Sequence, residues 1–392
     1  MKSLFSAYVN LLKTSIGSGV LNFPYLFKTY GFLSTIIFTI ISGFFATTGL
    51  FLLIVCSEDI GREANLSKLA SLTIPFAKII VDFAVFLKCF GVATSYMIIV
   101  STLLPSVLGT FFESKYLTYP PFCLAIFVCF IGPYCYLKKM DRLKYTSFLG
   151  LLAIVFVVAA SIFRFSHDGY SSDAKYNFIS TPLSIFWLGG FGKFVFSFTC
   201  HQNIFYVYSE LEDNSIGRMK KLILLTAFSA FILYLTFGGS NYLLFGSKVK
   251  ENVLMNYPED YLTTIVHGLY VIIMGVSYPL QLGPGKSYFL NMINFTPKHR
   301  GFNFMSYLTT TVLIVATYFI AVSGVGLGFV YTIVGATAST FMSLILPAIF
   351  YLHMDTNRSI FLTIIAYFSF LFGVFVFFTT LISVAIKIPI GH

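Results

Sequence analysis

Long apolar runs separated by short polar ones set the pattern of this chain from end to end. Crossing about 30 Å of hydrocarbon takes about 20 consecutive apolar residues in a helix. Eleven stretches approach or exceed that length, near 5–28, 32–56, 79–110, 120–137, 145–163, 184–209, 220–245, 261–289, 303–322, 326–352 and 360–386. The connections are short, the longest at 58–78 and 164–183, and leave no room for a soluble domain. The expected fold is an all-α integral membrane protein of eleven transmembrane helices, with 1–392 as one transmembrane domain.

Two of these runs are spoiled near their middles. TSIGSGVLNFPY, residues 14–25, places Gly17, Gly19 and Pro24 inside the first span. Glycine and proline lie about 1 and 3 kcal/mol below alanine in a helix interior, so the helix is expected to break here. Pro24, beyond the glycines, is expected to kink the outer half. In the sixth span, SFTCHQN (197–203) is a polar run that follows Gly189, Gly190 and Gly192. Polar, irregular backbone at membrane depth must face protein or a water-filled cavity. Spans one and six open two sets of five (about 5–163 and 184–352), with 360–386 as an extra C-terminal helix. Interrupted helices at matching positions are the sequence mark of a 5+5 inverted-repeat transporter.

Such breaks have definite chemistry. The second half of a broken helix presents N–H groups and the first half presents carbonyls. The former suit an anion and the latter a cation. Ser18, Gly19 and Val20 then offer N–H groups to a carboxylate, while carbonyls near Ser15, Ile16, Ser197 and Phe198 face an ammonium. Gly17 and Gly19 allow close approach to the backbone, and Thr199, Cys200 and His201 complete the polar lining. A Gly-x-Gly pair also serves membrane helices as a packing notch, and that alternative stays open at this point.

Composition removes other classes. Hydrophobic residues make up 57% and charged residues 10%, against about 25% charged in soluble domains; mean hydropathy is +0.85. The N-terminus lacks a small-residue cleavage site and reads as a first span, not a cleaved signal. The net charge of +10 fits cytoplasmic loop bias better than a nucleic-acid partner. With the N-terminus inside, fifteen Lys and Arg lie on the cytoplasmic side or at its edge, including the cluster Lys138, Lys139, Arg142 and Lys144, and seven lie opposite. Six cysteines in apolar segments form neither a disulfide framework nor a zinc pattern. No nucleophile–base pair or phosphate loop suggests an enzyme, and no cofactor is expected.

The broken segments also carry a resemblance. KTSIGSGVLNFPYLFKTYG (13–31) resembles the first helix of the amino acid/auxin permease family, whose pattern is IGxGIL-xxP-x-AF-xxxG. FSFTCHQNIFYVYSEL (196–211) resembles its FxFxCHxNxxxIYxEL block. CFGVATSYMIIVSTLLP (89–105), LKKMDRLKYTSFLGL (137–151), SYPLQLGPGKSYF (277–289) and IVGATASTFMSLILPAIFY (333–351) are similar to its third, fifth, eighth and tenth helix patterns. The resemblance implies a LeuT-type fold and secondary amino-acid transport by alternating access. The HQN form is similar to fungal vacuolar exporters, then to sodium-coupled neutral amino-acid transporters. It implies a vacuolar or lysosomal-type membrane, with the plasma membrane as the other possibility, and a protein functional as a monomer in the lipid bilayer.

In the sodium-coupled relatives, an asparagine in the first helix and a threonine in the eighth contribute to the sodium site. Lys13 and Ser277 stand at these positions here. An ammonium replaces one bound cation, which implies proton-linked or sodium-independent transport. The alternative is that Lys13 snorkels to the cytoplasmic surface. Among other ionisable residues in spans, His201 suits a titrating or a structural role. Lys88 is expected to reach toward Asp82 and the surface, Lys193 to point to the outer mouth, and His267 is a candidate proton relay. Glu210, Glu212 and Asp213 are expected to form a cytoplasmic gate beside Arg218. Thr94, Ser95, Tyr96, Thr337 and Ser339 are candidate cavity residues, and no paired carboxylate marks a site for cationic substrates. Neutral or small polar amino acids are the expected substrates; a sodium-coupled transporter and a non-transporting amino-acid sensor are the alternatives.

Overall fold

Each apolar run becomes a helix wherever nothing interrupts its hydrogen bonding. In the computed structural model, which describes residues 3–137, 143–171, 174–179, 185–354 and 359–387, the chain begins with α1 (Leu4–Ile16), a short 3-10 turn and α2 (Phe23–Tyr30). There follow α3 (Phe32–Ser57), α4 (Leu66–Thr73), α5 (Lys78–Phe111), α6 (Pro120–Ile131) and α7 (Leu143–Asp168). The second half continues with α8 (Ile185–Leu188), α9 (Phe191–Ser197), α10 (His201–Glu210), α11 (Ile216–Phe245), α12 (Tyr261–Met292) and α13 (Phe302–Val322). It closes with α14 (Leu327–Val334), α15 (Leu346–His353) and α16 (Ile360–Lys387). No strand occurs among the described residues.

Among the described residues, eight helical stretches are long and apolar enough to cross a membrane. The other three expected spans are built differently. The first and sixth are interrupted, and the fourth is α6 followed by a 3-10 turn over Gly132–Tyr136, where Pro133 cannot continue the helix. The expected connection 58–78 contains α4, whose first turn is capped by Asn65 accepting from Lys68 N–H at 2.9 Å. Of the charges used for orientation, Lys2, Lys138, Lys139, Arg142, Arg358 and the side chains of Lys144 and Lys387 lie outside the described residues.

The two longest helices, α5 and α12, pack against each other along their lengths and form the central pillar. α16 lies at the periphery: its apolar window has a mean hydropathy of 2.5, yet only 22% of it is buried in protein. Phe361, Phe368 and Leu371 stay exposed there, a surface suited to lipid and not to water.

Close backbone approach at small residues holds the interrupted elements in place. A Cβ on Gly335 would stand 2.0 Å from Gly192 O, and one on Gly49 would stand 1.9 Å from Ser343 O. The tenth span pays this proximity with two π-helical turns, Gly335–Ser339 and Phe341–Ile345, between α14 and α15. Thr340 Oγ1 donates to Gly335 O at 2.7 Å inside this widened stretch.

At the end opposite the N-terminus, α7 and α12 are tied by charge. The Arg164 guanidinium donates to Asp260 at 2.7 Å and to Thr263 Oγ1 at 2.6 Å, while Asp260 accepts from Thr263 N–H at 2.8 Å as the cap of α12. The Arg164 hydrogen bond holds the Asp260 carboxyl down at about 2. Because this value lies below the unfolded carboxylate range, the pair stabilises the fold above about pH 4 and that contribution disappears as pH falls toward 2. Asp260 is 43% exposed, so screening reduces the expected contribution to about 1 kcal/mol. Asp260→Asn keeps a capping side chain but loses the ion pair. Denaturation of the purified protein should therefore show about 1 kcal/mol lost at pH 7, with the gap to wild type closing below pH 4.

Candidate functional site

Both spoiled runs are broken where the sequence placed the breaks. α1 ends at Ile16 because Gly17 takes φ +38°, a region open to glycine, and its N–H closes on Lys13 O at 3.0 Å. Backbone bonding resumes with Leu21 N–H to Ser18 O at 3.3 Å. Pro24 does not kink the outer half: it sits in the first turn of α2, where its missing N–H removes no helical bond. In the sixth span α9 ends at Ser197 and α10 starts at His201, leaving Phe198, Thr199 and Cys200 between them.

The two breaks touch. A Cβ on Gly19 would lie 3.2 Å from Ser197 Cα. The Tyr234 hydroxyl, from α11, reaches Ser15 O at 3.0 Å and also contacts Ser197 O. Tyr331, from α14, donates to Ser18 O at 2.8 Å, and Ser18 Oγ lies 3.1 Å from Ser95 Oγ on α5. Two tyrosine hydroxyls thus serve carbonyls freed by the breaks, and Ser95 Oγ, which donates to Val92 O, partners the Ser18 side chain. Ile16, Val20 and Phe198 are buried apolar neighbours, the Phe198 ring standing edge-on to Tyr234 with centroids 5.2 Å apart. Thr199 Oγ1 bonds Val195 O at 2.7 Å and pairs with Ser343 Oγ at 2.9 Å. Cys200 is buried at the cap of α10.

A cavity of about 870 Å³ opens on the face that carries the N-terminus and the α12–α13 connection. At its inner end stand Lys13, Thr14 and Tyr96, with Gln202, Asn203 and Gln281 on the walls. Asn203 donates to Thr14 Oγ1 at 2.8 Å, clamping α10 to α1. A second cavity of about 470 Å³ on the opposite face is bordered by Tyr25, Lys193 and Glu251. Aromatic rings fill the interior beside the breaks. Phe23 stacks on Tyr234 with centroids 4.2 Å apart, Tyr30 and Phe194 are 5.4 Å apart, and Tyr30 donates to Trp187 O at 2.7 Å.

Lys13 does not snorkel. It is 7% exposed, and its Nζ donates to Ser277 Oγ on α12 at 2.6 Å. Lys88 does not reach toward Asp82 either; its Nζ donates to Ser339 Oγ in the tenth span at 3.1 Å. His201 is fully buried away from the cavity, with Nε2 3.1 Å from Ala46 O on α3. His267 is held at both nitrogens, by Ser106 Oγ at 3.2 Å and Leu254 O at 3.0 Å, which ties α12 to α5 and to the turn before it. Asp213 pairs with Arg218 at 3.1 Å, and Arg62 donates to the carbonyls of Ser209, Leu211 and Glu212.

Sequence reasoning missed Tyr234 and Tyr331, because a tyrosine inside an apolar run carries no mark of its partner. It also passed over Gln281 and gave Asn203 no role of its own, although Asn203 lay in the polar run already singled out.

The fold is of the LeuT type. A sodium-coupled sialic acid symporter, solved substrate-bound and outward-open, superposes with TM-score 0.60 over 99% of this chain and 90% of that one. At 14% identity this likeness concerns the fold alone. The sequence profile of the transmembrane amino acid transporter protein family matches residues 1–387, and the chain belongs to that family. Vacuolar amino acid transporter 6 of Saccharomyces cerevisiae is 27% identical over 399 aligned positions, covering 89% of each chain. Sodium-coupled neutral amino acid transporter 7 of Xenopus laevis is 22% identical over 374 positions, covering 89% of this chain and 80% of that one.

Because Gly19 lies against backbone of the opposite break, Gly19→Val forces the two breaks apart. Expected is a variant that inserts and elutes as a single species but transports at least about tenfold more slowly. Transport at the wild-type rate would show that the contact of Gly19 with Ser197 is packing only.

Proposed function

We propose that this protein moves amino acids across a membrane by alternating access, holding the substrate's main-chain groups between its two broken helices. One observation carries the reading: carbonyls from both breaks, Ser15 O and Ser197 O, converge on the single hydroxyl of Tyr234. A phenol has one proton to donate, whereas an ammonium has three. A pair of convergent carbonyls is therefore better matched by a substrate ammonium, which takes the place of Tyr234 when the breaks part. The N–H groups of Ser18, Gly19 and Val20 receive the carboxylate, at the start of the next helical segment. Gly17, Phe198, Thr199, Cys200 and His201 shape the breaks from behind. Neutral or small polar side chains suit the cavity wall, where Gln202, Asn203 and Gln281 offer hydrogen bonds and no carboxylate is present among the described lining residues.

The cavity on the N-terminal face and the aromatic packing on the other side correspond to one end state of the cycle. Lys13 supports sodium-independent or proton-linked movement, since its ammonium already engages Ser277, the hydroxyl that a sodium ion would need. The name of the Saccharomyces cerevisiae relative supports a vacuolar-type membrane. Arg62, Lys68, Lys78, Arg218, Lys220, Lys221, Lys298 and Arg300 on the N-terminal side support a cytoplasmic N-terminus. The whole 1–392 chain is taken to work as one transmembrane unit and as a monomer.

Proteoliposomes supplied with external labelled amino acids, under a pH gradient and then a sodium gradient, test the proposal. Uptake or exchange of neutral amino acids should respond to the pH gradient or need no gradient, and should persist when choline replaces sodium. Uptake that requires sodium overturns the coupling assignment. Movement of none of the twenty amino acids overturns transport itself and favours a sensor.

A further inference from the structure

Two buried lysines lie beside the two interrupted segments. Lys13 lies in the last turn of α1, four residues before the break at Gly17. Lys88 comes from the third turn of α5, is 2% exposed, and sits 3.8 Å from the centroid of Phe196 in the last turn of α9. Each donates to one serine hydroxyl on a long neighbouring span: Lys13 to Ser277 on α12, and Lys88 to Ser339 in the tenth span. Among the described residues neither lysine has an ion-pair partner.

Within a 5+5 repeat the first span corresponds to the sixth and the third to the eighth. The contact of the first span with the eighth, made by Lys13 and Ser277, is then matched by contact of the sixth with the third. That second contact is Phe196 with Lys88. In the first half the broken segment supplies the lysine; in the second half the long helix does. The carbonyl end of a half-helix carries partial negative charge, and transporters with broken helices bind their cations at such ends. An aromatic face adds a further preference for a cation. Lys88 thus meets two groups that favour a cation, the face of Phe196 in the last turn of α9 and the Ser339 hydroxyl. The titratable groups that act on it electrostatically are the thiols of Cys89 and Cys200 and the imidazole of His201, none of them a carboxylate.

We propose that Ser339, Phe196 and the end of α9 form a second cation site, which Lys88 fills with a tethered ammonium, and that the cycle requires a positive charge there. Lys88 is on this account a positioning residue, holding α9 against α5 and the tenth span. The functional part rests on the transporter reading; the site itself does not.

Three variants assayed in choline buffer separate charge from packing. Lys88→Met keeps the stem and loses the charge, Lys88→Arg keeps the charge, and Lys88→Ala opens the space. Expected are folded Lys88→Met and Lys88→Ala proteins that transport about ten- to a hundredfold more slowly, with Lys88→Arg retaining more activity than Lys88→Met. Methylammonium should speed Lys88→Ala several-fold and raise its melting temperature, with no effect on wild type. The proposal is overturned if Lys88→Met transports at the wild-type rate, or if methylammonium, sodium and lithium all leave Lys88→Ala unchanged in both measurements. A melting shift of Lys88→Ala with methylammonium, found alongside a wild type that moves no amino acid, supports the site and counts against the transporter reading alone.

Discussion

A backbone amide or carbonyl inside hydrocarbon must find a partner within the protein, because no water is present to supply one. The centre of this molecule is organised around that constraint. Interrupting α1 at Gly17 and α9 at Ser197 releases backbone groups at membrane depth, and neighbouring spans send hydroxyls to them. Tyr234 serves Ser15 and Ser197, Tyr331 serves Ser18, and Thr199 turns back on Val195. An unmet group in such surroundings costs several kcal/mol, so the breaks persist only because α11, α14 and the tenth span are built to meet them. The same groups are what a zwitterionic substrate can use, which joins the requirement for folding to the proposed function.

Charge is handled in a corresponding way. The breaks lack carboxylates, and the lysines beside them, Lys13 and Lys88, each donate to a serine hydroxyl. Ionisable residues in membrane interiors are expensive and are kept where they act.

Much of this was legible in the sequence, for identifiable reasons. Glycines and polar runs are conspicuous against apolar surroundings, so the breaks after Ile16 and before His201 could be located to within a residue or two. The periodicity of α5 could not show that Lys88 turns to Ser339, because a helix face does not name its neighbour. Pro24 was misread as a kink since a proline looks the same in the sequence whether it bends a helix or begins one. The π-helical turns of the tenth span had no local signal either. IVGATASTFMSLI contains no breaker beyond Gly335, and the distortion accompanies the approach of Gly335 to Gly192, more than 140 residues earlier. Tyr234 had no signal of its own because its role is defined wholly by backbone atoms of other helices.

The central claim is that backbone atoms at the two breaks recognise the main-chain ends of an amino acid. Competition against a transported amino acid in proteoliposomes measures this directly, using the same compound as its methyl ester and as its N-acetyl derivative. Each modification should abolish competition, because the ester removes the charge proposed to meet Ser18–Val20 and acetylation removes the charge proposed to meet Ser15 and Ser197. Full competition by either derivative would contradict it.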